Sequence, residues 1–502
     1  MYRQLRKLAW IRARVGAVAE SPYSIWVVLC LAIILRVVGL RNIYYGFTGE
    51  LYRDLLVVHH FIAYGDWPLL GPMGSVGGYY FGPAYYYLLT PFVWLVNANP
   101  VGAVFASGFF SVLTIYVVYR LVGLWTGSRS AALLAAFLLS ISIRDIQNSY
   151  YISNPNLLPF FTVLFLYALT RIVLQPKTML WWPIAGIAFG IAMQLHVVAL
   201  VVLFLVGAIT LIVHKLYRYL WHATCTLFAF LLTYIPYLYY ECTHGFANIH
   251  RLIHVGGNSY GLVPKAQSFI ALSEFWISTL FLKNDLFTFF NIHSGLYVSG
   301  IVFAATLGLA TYVSIRVGKG VAVLNTTGHF FVLTWLLTGL TLFLWYQSPV
   351  QFFYLLVLWP LPVMVLALMH MRIGVAHRTW ARVLLMAYVL IQGAQLVYFY
   401  SYLHEPAYNH AHLLQVFKNI DARAKGQSYI VISPDADINM LRYYTELARR
   451  RPYEAISAAH TIYNVHLKAG AVPYIFNPMQ YVREDSYTID SVYVESYIRK
   501  NN

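Results

Sequence analysis

Long apolar runs separated by short polar breaks dominate the first 400 residues. They lie at 24–41, 101–120, 130–143, 157–174, 179–195, 197–213, 219–240, 296–315, 329–346, 351–369 and 380–399. A helix of about 20 apolar residues covers about 30 Å of hydrocarbon, so the pattern predicts about eleven transmembrane helices. A shorter apolar stretch at 269–282 contains Glu274 and predicts an interfacial helix instead. The basic tail (Arg3, Arg6, Lys7, Arg12, Arg14) enters the first run without a small-residue cleavage site, the pattern of a signal anchor. Beyond residue 405 the pattern changes. Tyr429-Ile430-Val431-Ile432 predicts a buried strand ended by Ser433-Pro434-Asp435, and Met440, Leu441, Tyr444 and Leu447 follow at helical spacing. The fold class is therefore an α-helical polytopic membrane protein, 1–404, with a large first outer loop at 42–100 and a small C-terminal α/β domain at 405–502.

Composition agrees with this pattern. Of 502 residues, 60% are hydrophobic and only 10% charged; a soluble domain carries about 25% charged residues, so water is not the only solvent here. The net charge of +16 would suit nucleic acid, but its distribution describes membrane orientation. With the amino terminus inside, the inner segments and loops hold 16 Lys and Arg, and the outer loops only Arg41, Arg53, Arg144, Arg251, Lys265 and Lys283. Cytoplasmic loops carry the basic excess, so the amino terminus is inside and 405–502 outside. Carboxylates show the reverse bias: Glu50, Asp54, Asp66, Asp145, Glu241, Glu274 and Asp285 all fall on the outer side. They either balance the outer basic residues or mark chemistry done on that face. Cys30, Cys225 and Cys242 form neither a metal knuckle nor a disulfide framework.

The first outer loop is the most informative segment. Residues 50–64 have helical periodicity, with Leu51, Leu55, Val58 and Ile62 on one stripe. Glu50 and Asp54 stand four apart at the helix start, where the helix dipole favours negative charge. Dipole compensation explains them; so does a general base with Arg53 beside it. Local physics leaves both readings open.

The loop resembles the first outer loop of the GT-C glycosyltransferase superfamily, in particular the protein O-mannosyltransferase and lipid A aminoarabinose transferase group (glycosyltransferase family 39-like). That group carries Asp-Glu-x-Arg-Tyr after the first span, with Gly-Asp-Trp about ten residues beyond. Here Glu50-Leu51-Tyr52-Arg53-Asp54 is followed by Gly65-Asp66-Trp67. The resemblance puts Glu50 at the catalytic acid position and Arg53 at the family's arginine. Two departures are Glu50 in place of Asp and Leu51 in place of the second acid. Glu50 keeps a carboxylate but reaches one methylene further, so Asp54 stands as its partner or substitute. The loop continues, like a bacterial branch of the group, through Gly71, Gly74, Gly77, Gly78 and Gly82 to Gly82-Pro83 and Tyr85-Tyr86-Tyr87. Glycines so spaced make tight turns in preference to a phosphate cradle.

Other candidates are scattered. Asn154-Pro155-Asn156 resembles this branch's version of a segment where related enzymes carry an Asp. Asn156 is a poor ligand for a hard cation, and Asp145 is the nearest acid. Asp145 could compensate, so a divalent metal is possible but not supported by the sequence, and no cofactor is called for. Gln194 and His196, at the outer end of an apolar run, are expensive in a bilayer unless paired, which suggests a cavity. His250, Arg251, His254 and Lys265 would suit either a lipid phosphate or ordinary anionic lipids.

The resemblance implies an inverting transferase that moves a sugar from a polyprenyl-phosphate donor to an acceptor hydroxyl outside a bacterial or archaeal cytoplasmic membrane. Glu50 and Asp54 would be catalytic, Arg53 and Arg251 would bind donor phosphate, and Asp145, Asn156, Gln194 and His196 would line a substrate cavity. The partners implied are the donor, membrane lipids and a lipid, glycan or protein acceptor, with no nucleic acid. A lipid or sugar transporter is the rival reading. Transporters show internal repeats and broken helices at the midplane, and neither is evident. A non-catalytic scaffold is a third.

Overall fold

The computed structural model describes residues 21, 23–40, 49–74, 78–254, 324–345, 352–376, 378–402, 410–425, 429–433, 438–449, 461–466, 481–489 and 492–499. The expected span at 296–315, the interfacial helix at 269–282, and Gly77, Lys265, Lys283, Pro434 and Asp435 lie outside the described residues.

Sixteen α-helices and four strands are described. The helices are α1 (Ser24–Val37), α2 (Gly49–Tyr64), α3 (Ala84–Leu95), α4 (Val101–Thr126), α5 (Arg129–Ser140), α6 (Ile143–Tyr150), α7 (Leu158–Leu174), α8 (Trp181–Leu195), α9 (Val197–Val213) and α10 (Leu220–Thr243), followed by α11 (Ala247–His254), α12 (Thr326–Trp345), α13 (Leu361–Ala376), α14 (Arg378–Tyr402), α15 (His410–Ala424) and α16 (Ile438–Arg449). Among the described residues, four helical segments are long and apolar enough to cross a membrane: Val101–Thr126, Asn154–Leu174, Leu220–Thr243 and Arg378–Ser401. α5 and α6 together make a fifth, bent by 53°. The other expected runs coincide with shorter apolar helices, α1, α8, α9, α12 and α13.

The bend corrects one detail of the sequence reading, where 130–143 stood as one straight run. Two serines, Ser140 and Ser142, flank the break. Ser140 Oγ turns back to the Phe137 carbonyl at 2.7 Å, and Ser142 adopts extended backbone as the N-cap of α6. Side chains of this kind compete with the helix for its own carbonyls and bend it.

The chain forms two compact units, 1–40 with 68–88 and 104–402, and 41–67 with 89–103 and 403–502. In the first, α8 packs against both α7 and α10. The approach to α10 needs glycine: a Cβ on Gly186 would lie 2.1 Å from the Thr226 carbonyl oxygen. Small residues bring apolar helices close where lipid offers no hydrophobic drive between them.

The second unit holds the sheet. Strands β1 (Tyr429–Ile432), β2 (Thr461–His466), β3 (Tyr481–Ile489) and β4 (Val492–Arg499) are ordered β1-β2-β4-β3. β1 and β2 run parallel, Tyr429 opposite Thr461, and the other two pairings are antiparallel. α16 lies between β1 and β2 in the chain, as the connection of a parallel pair requires. Strand β1 and the helix after it fall where the apolar pattern puts them. Met440, Leu441 and Tyr444 are buried. This unit is larger than the 405–502 segment, because α16 packs on α2 from the first loop as well as on α15.

Candidate active site

In the second unit, α2 carries the first-loop candidates. The stripe expected of it is present at Leu51, Leu55 and Val58, which are fully buried. Tyr52 and His59, seven residues apart and so on one face, are buried too. Gly65, with φ +75°, ends the helix in the left-handed conformation glycine adopts without strain. Trp67 folds back onto Phe61 with ring centroids 4.6 Å apart. Gly65-Asp66-Trp67 is thus a helix terminator with an aromatic clasp.

The two carboxylates at the start of α2 differ. Glu50 is exposed in the first turn. Asp54 is buried, and its Oδ1 accepts from Arg53 Nη2 at 2.9 Å and Arg53 Nε at 3.0 Å. Its side chain is 4% exposed against 35% for Arg53. Glu50 is thus the exposed carboxylate of the two, while Asp54 holds the Arg53 guanidinium.

The first unit holds the remaining candidates, in two separate networks. Asp145 sits in the first. Its Oδ2 accepts from Arg36 Nη2 at 2.5 Å and Ser111 Oγ at 2.5 Å, and its Oδ1 from Trp359 Nε1 at 2.8 Å. Arg36 also donates to the Ala32 and Ser140 carbonyls. Nearby, buried Gln392 accepts from the Ile143 N–H at 2.8 Å. These contacts tie α1, α4, α6 and α14 at the bend. Arg36 was missed by the sequence reading, although an arginine within an apolar run signals a buried partner.

The second network fixes the glycine-rich loop. A Met73–Tyr80 bridge closes it into a short hairpin, with Gly71 N–H donating to the Phe81 carbonyl at 2.7 Å. A Cβ on Gly71 would lie 2.1 Å from the Gly82 carbonyl oxygen, and one on Gly82 would lie 2.3 Å from Gln194 Oε1. Close approach is what these glycines allow. Gln194 accepts from the Ala84 N–H at 3.2 Å and donates to the Thr233 carbonyl at 2.9 Å. His196 caps α9 by accepting from the Val198 N–H, and its ring packs against Phe81, Phe353 and Tyr354. Asn154 donates to the Leu195 carbonyl at 2.6 Å. Asn156 donates to the Asn148 and Tyr151 carbonyls and accepts from Ser153. Gln194, His196 and Asn156 therefore all hold backbone.

At the Met73–Tyr80 bridge the loop is held by a residue the sequence reading passed over. Asn248, on α11, accepts from the Tyr80 N–H at 2.6 Å and donates to the Tyr80 carbonyl and the Tyr237 hydroxyl, each at 2.8 Å. Arg251 stands three residues later, exposed. Among the described residues no three His, Cys, Asp or Glu side chains gather as a metal site.

Residues 56–253 match the family model described as dolichyl-phosphate-mannose-protein mannosyltransferase. The match starts just past Asp54, so Glu50, Arg53 and Asp54 precede it. No curated protein matches the chain. Among solved structures the fold is similar to that of ArnT from Cupriavidus metallidurans bound to undecaprenyl phosphate, at 13% identity and a TM-score of 0.58, covering 95% of this chain and 98% of that one. It is also similar to the apo Archaeoglobus fulgidus oligosaccharyltransferase, at 14% identity and a TM-score of 0.51, over 88% of this chain and 65% of the other. The chain thus shares its fold with these two proteins, and its residues 56–253 resemble the mannosyltransferase family.

Proposed function

We propose that this protein transfers a sugar from a polyprenyl-phosphate donor to an acceptor hydroxyl on the extracytoplasmic face, with inversion at the anomeric carbon. The observation that carries the reading is the exposed carboxylate of Glu50 at the start of α2, one turn before the Arg53–Asp54 pair. The acceptor oxygen attacks the anomeric carbon as its proton passes to Glu50. The bond from that carbon to the phosphate oxygen breaks, and the electron pair leaves on the lipid phosphate. A phosphate leaves as a stabilised anion, so the site needs a base and cationic donors but no strong acid. Arg53, oriented by Asp54, supplies the cation. Arg251, exposed on α11, remains a candidate for phosphate contact on the sequence pattern alone.

A donor bearing a polyprenyl phosphate is supported by the family match, whose description names a dolichyl-phosphate sugar, and by the ArnT structure bound to undecaprenyl phosphate. The extracytoplasmic face is supported by the excess of basic residues on the opposite side. The test is transfer of radiolabelled sugar from a panel of polyprenyl-phosphate donors by the purified full-length protein in nanodiscs. Label in an acceptor, with an inverted anomeric configuration, is the expected result. Movement of intact donor between leaflets without transfer would establish a transporter instead.

A further inference from the structure

We infer that α16 positions the catalytic helix α2, with Glu446 and Tyr443 as positioning residues for sugar transfer; this rests on the reading of α2 given above. The contacts fall at two levels of α2. At the level of the catalytic turn, Tyr52 lies between Glu50 and Arg53 in sequence, and its ring packs on Tyr443 and Tyr444 at 5.8 and 6.1 Å. Two turns further along, His59 packs on the same Tyr443 ring at 6.2 Å, and His60 Nε2 meets Glu446 Oε2 at 2.6 Å. Tyr52 and His59 are about 10 Å apart along the helix axis, so the two levels together resist both sliding and rotation of α2.

Each half of the clamp is itself held. Tyr443 is fully buried, and its hydroxyl donates to the Ala98 carbonyl. Tyr444 is braced from α15 by Phe417 and His410. Glu446 is buried, and a buried carboxylate is costly away from a partner, which keeps His60 against it. His60 Nδ1 also faces Asp66 at 3.8 Å, beside the helix terminator. Rotating an α-helix by one residue turns its side chains by about 100°. A misplacement of about 1 Å is enough to lose about 10²-fold in turnover. The C-terminal segment therefore does more than cover the first loop: it sets where Glu50 points.

The experiment uses the full-length protein in nanodiscs, with Glu446→Ala, Glu446→Gln and the exchanged pair His60→Glu/Glu446→His. Turnover, donor KM, thermal midpoint and hydrogen exchange of residues 50–64 are measured on each. Expected for Glu446→Ala is a kcat lower by about 10- to 100-fold, donor KM within about twofold, and faster exchange along α2. The exchanged pair should recover much of both. Glu446→Gln, which keeps size and hydrogen bonding, should fall between, and it gives the reading if the alanine variant does not fold. Wild-type kcat per folded molecule in both Glu446→Ala and Glu446→Gln would overturn the inference, as would α2 exchange indifferent to position 446 in an active enzyme. A wild-type protein that transfers no sugar while its α2 exchange still answers to Glu446 would sink the proposed function and leave the mechanical link standing.

Discussion

The Arg36–Asp145 pair and the Arg53–Asp54 pair are the same chemical contact in two settings. In the first unit, both side chains are sealed, at 2% and 5% exposure, and Asp145 receives Arg36, Ser111 and Trp359 together. In the second unit only the acid is sealed, and the arginine keeps a third of its surface exposed. A charge within apolar helices must have a partner, and Arg36 has one that is sealed with it. The Arg53 pair fixes a cation and still presents it. The sequence reading put Asp54 at the catalytic turn and Asp145 at a substrate cavity; in the structure the two acids differ in the exposure of their arginine partners.

Breaking each pair should give different phenotypes. Asp145→Ala leaves Arg36 buried without its counter-ion, a change that costs about 3–5 kcal/mol, and should show as a large drop in the unfolding midpoint in detergent. The double variant Arg36→Met/Asp145→Leu should recover most of it. A stable Asp145→Ala protein that had lost only activity would erase the contrast. Arg53→Ala should differ in kind, lowering transfer by about 10²-fold with a smaller loss of stability than Asp145→Ala, since Arg53 is itself part-exposed although Asp54 is buried. Arg53→Lys should restore part of the rate, unless the phosphate needs the planar fork. Wild-type transfer by Arg53→Ala would remove Arg53 from the donor site.

A smaller effect can be read by pH in the second unit. Burial, helped by Lys418, holds His410 down at about 4. His59 is lowered too, by burial working against the pull of Glu446. The unfolded chain takes up these protons below about 6.5, and folded His410 does not until about 4. Their contribution is therefore fully present above the unfolded value and is lost as pH falls from there. Unfolding at pH 7.5 and pH 5 should show the loss, and His410→Gln should reduce it. An unfolding midpoint identical at both pH values, in wild type and variant, would contradict it.

The apolar helices were legible because hydrocarbon thickness dictates a run length that composition displays directly. The stripe of α2, strand β1 and α16 were legible for a similar reason, since one buried face imposes a period. The polar joints were not. Asp145 stood out as an acid, but its partner Arg36 is 109 residues away and hidden in an apolar run. Residues adjacent on a helix do not face each other, so nothing in the pattern predicted that Arg53 would curl onto Asp54. Gln194, His196 and Asn156 read as cavity-facing groups, and the backbone contacts each of them makes were not legible. Such contacts depend on where another segment's carbonyl or N–H arrives, which only the packed fold determines.

The central claim is that Glu50 is the base, and Glu50→Gln tests it most directly. The amide keeps the shape of the side chain and its capacity to hydrogen-bond but cannot take the acceptor's proton. With purified protein and a polyprenyl-phosphate donor that the wild type uses, turnover should fall by about 10²- to 10⁴-fold while donor binding survives. Glu50→Asp should keep measurable activity. Near-normal transfer by Glu50→Gln, with Asp54→Asn inactive, would move the base one turn along α2. Normal transfer by both variants would remove this helix from the chemistry altogether.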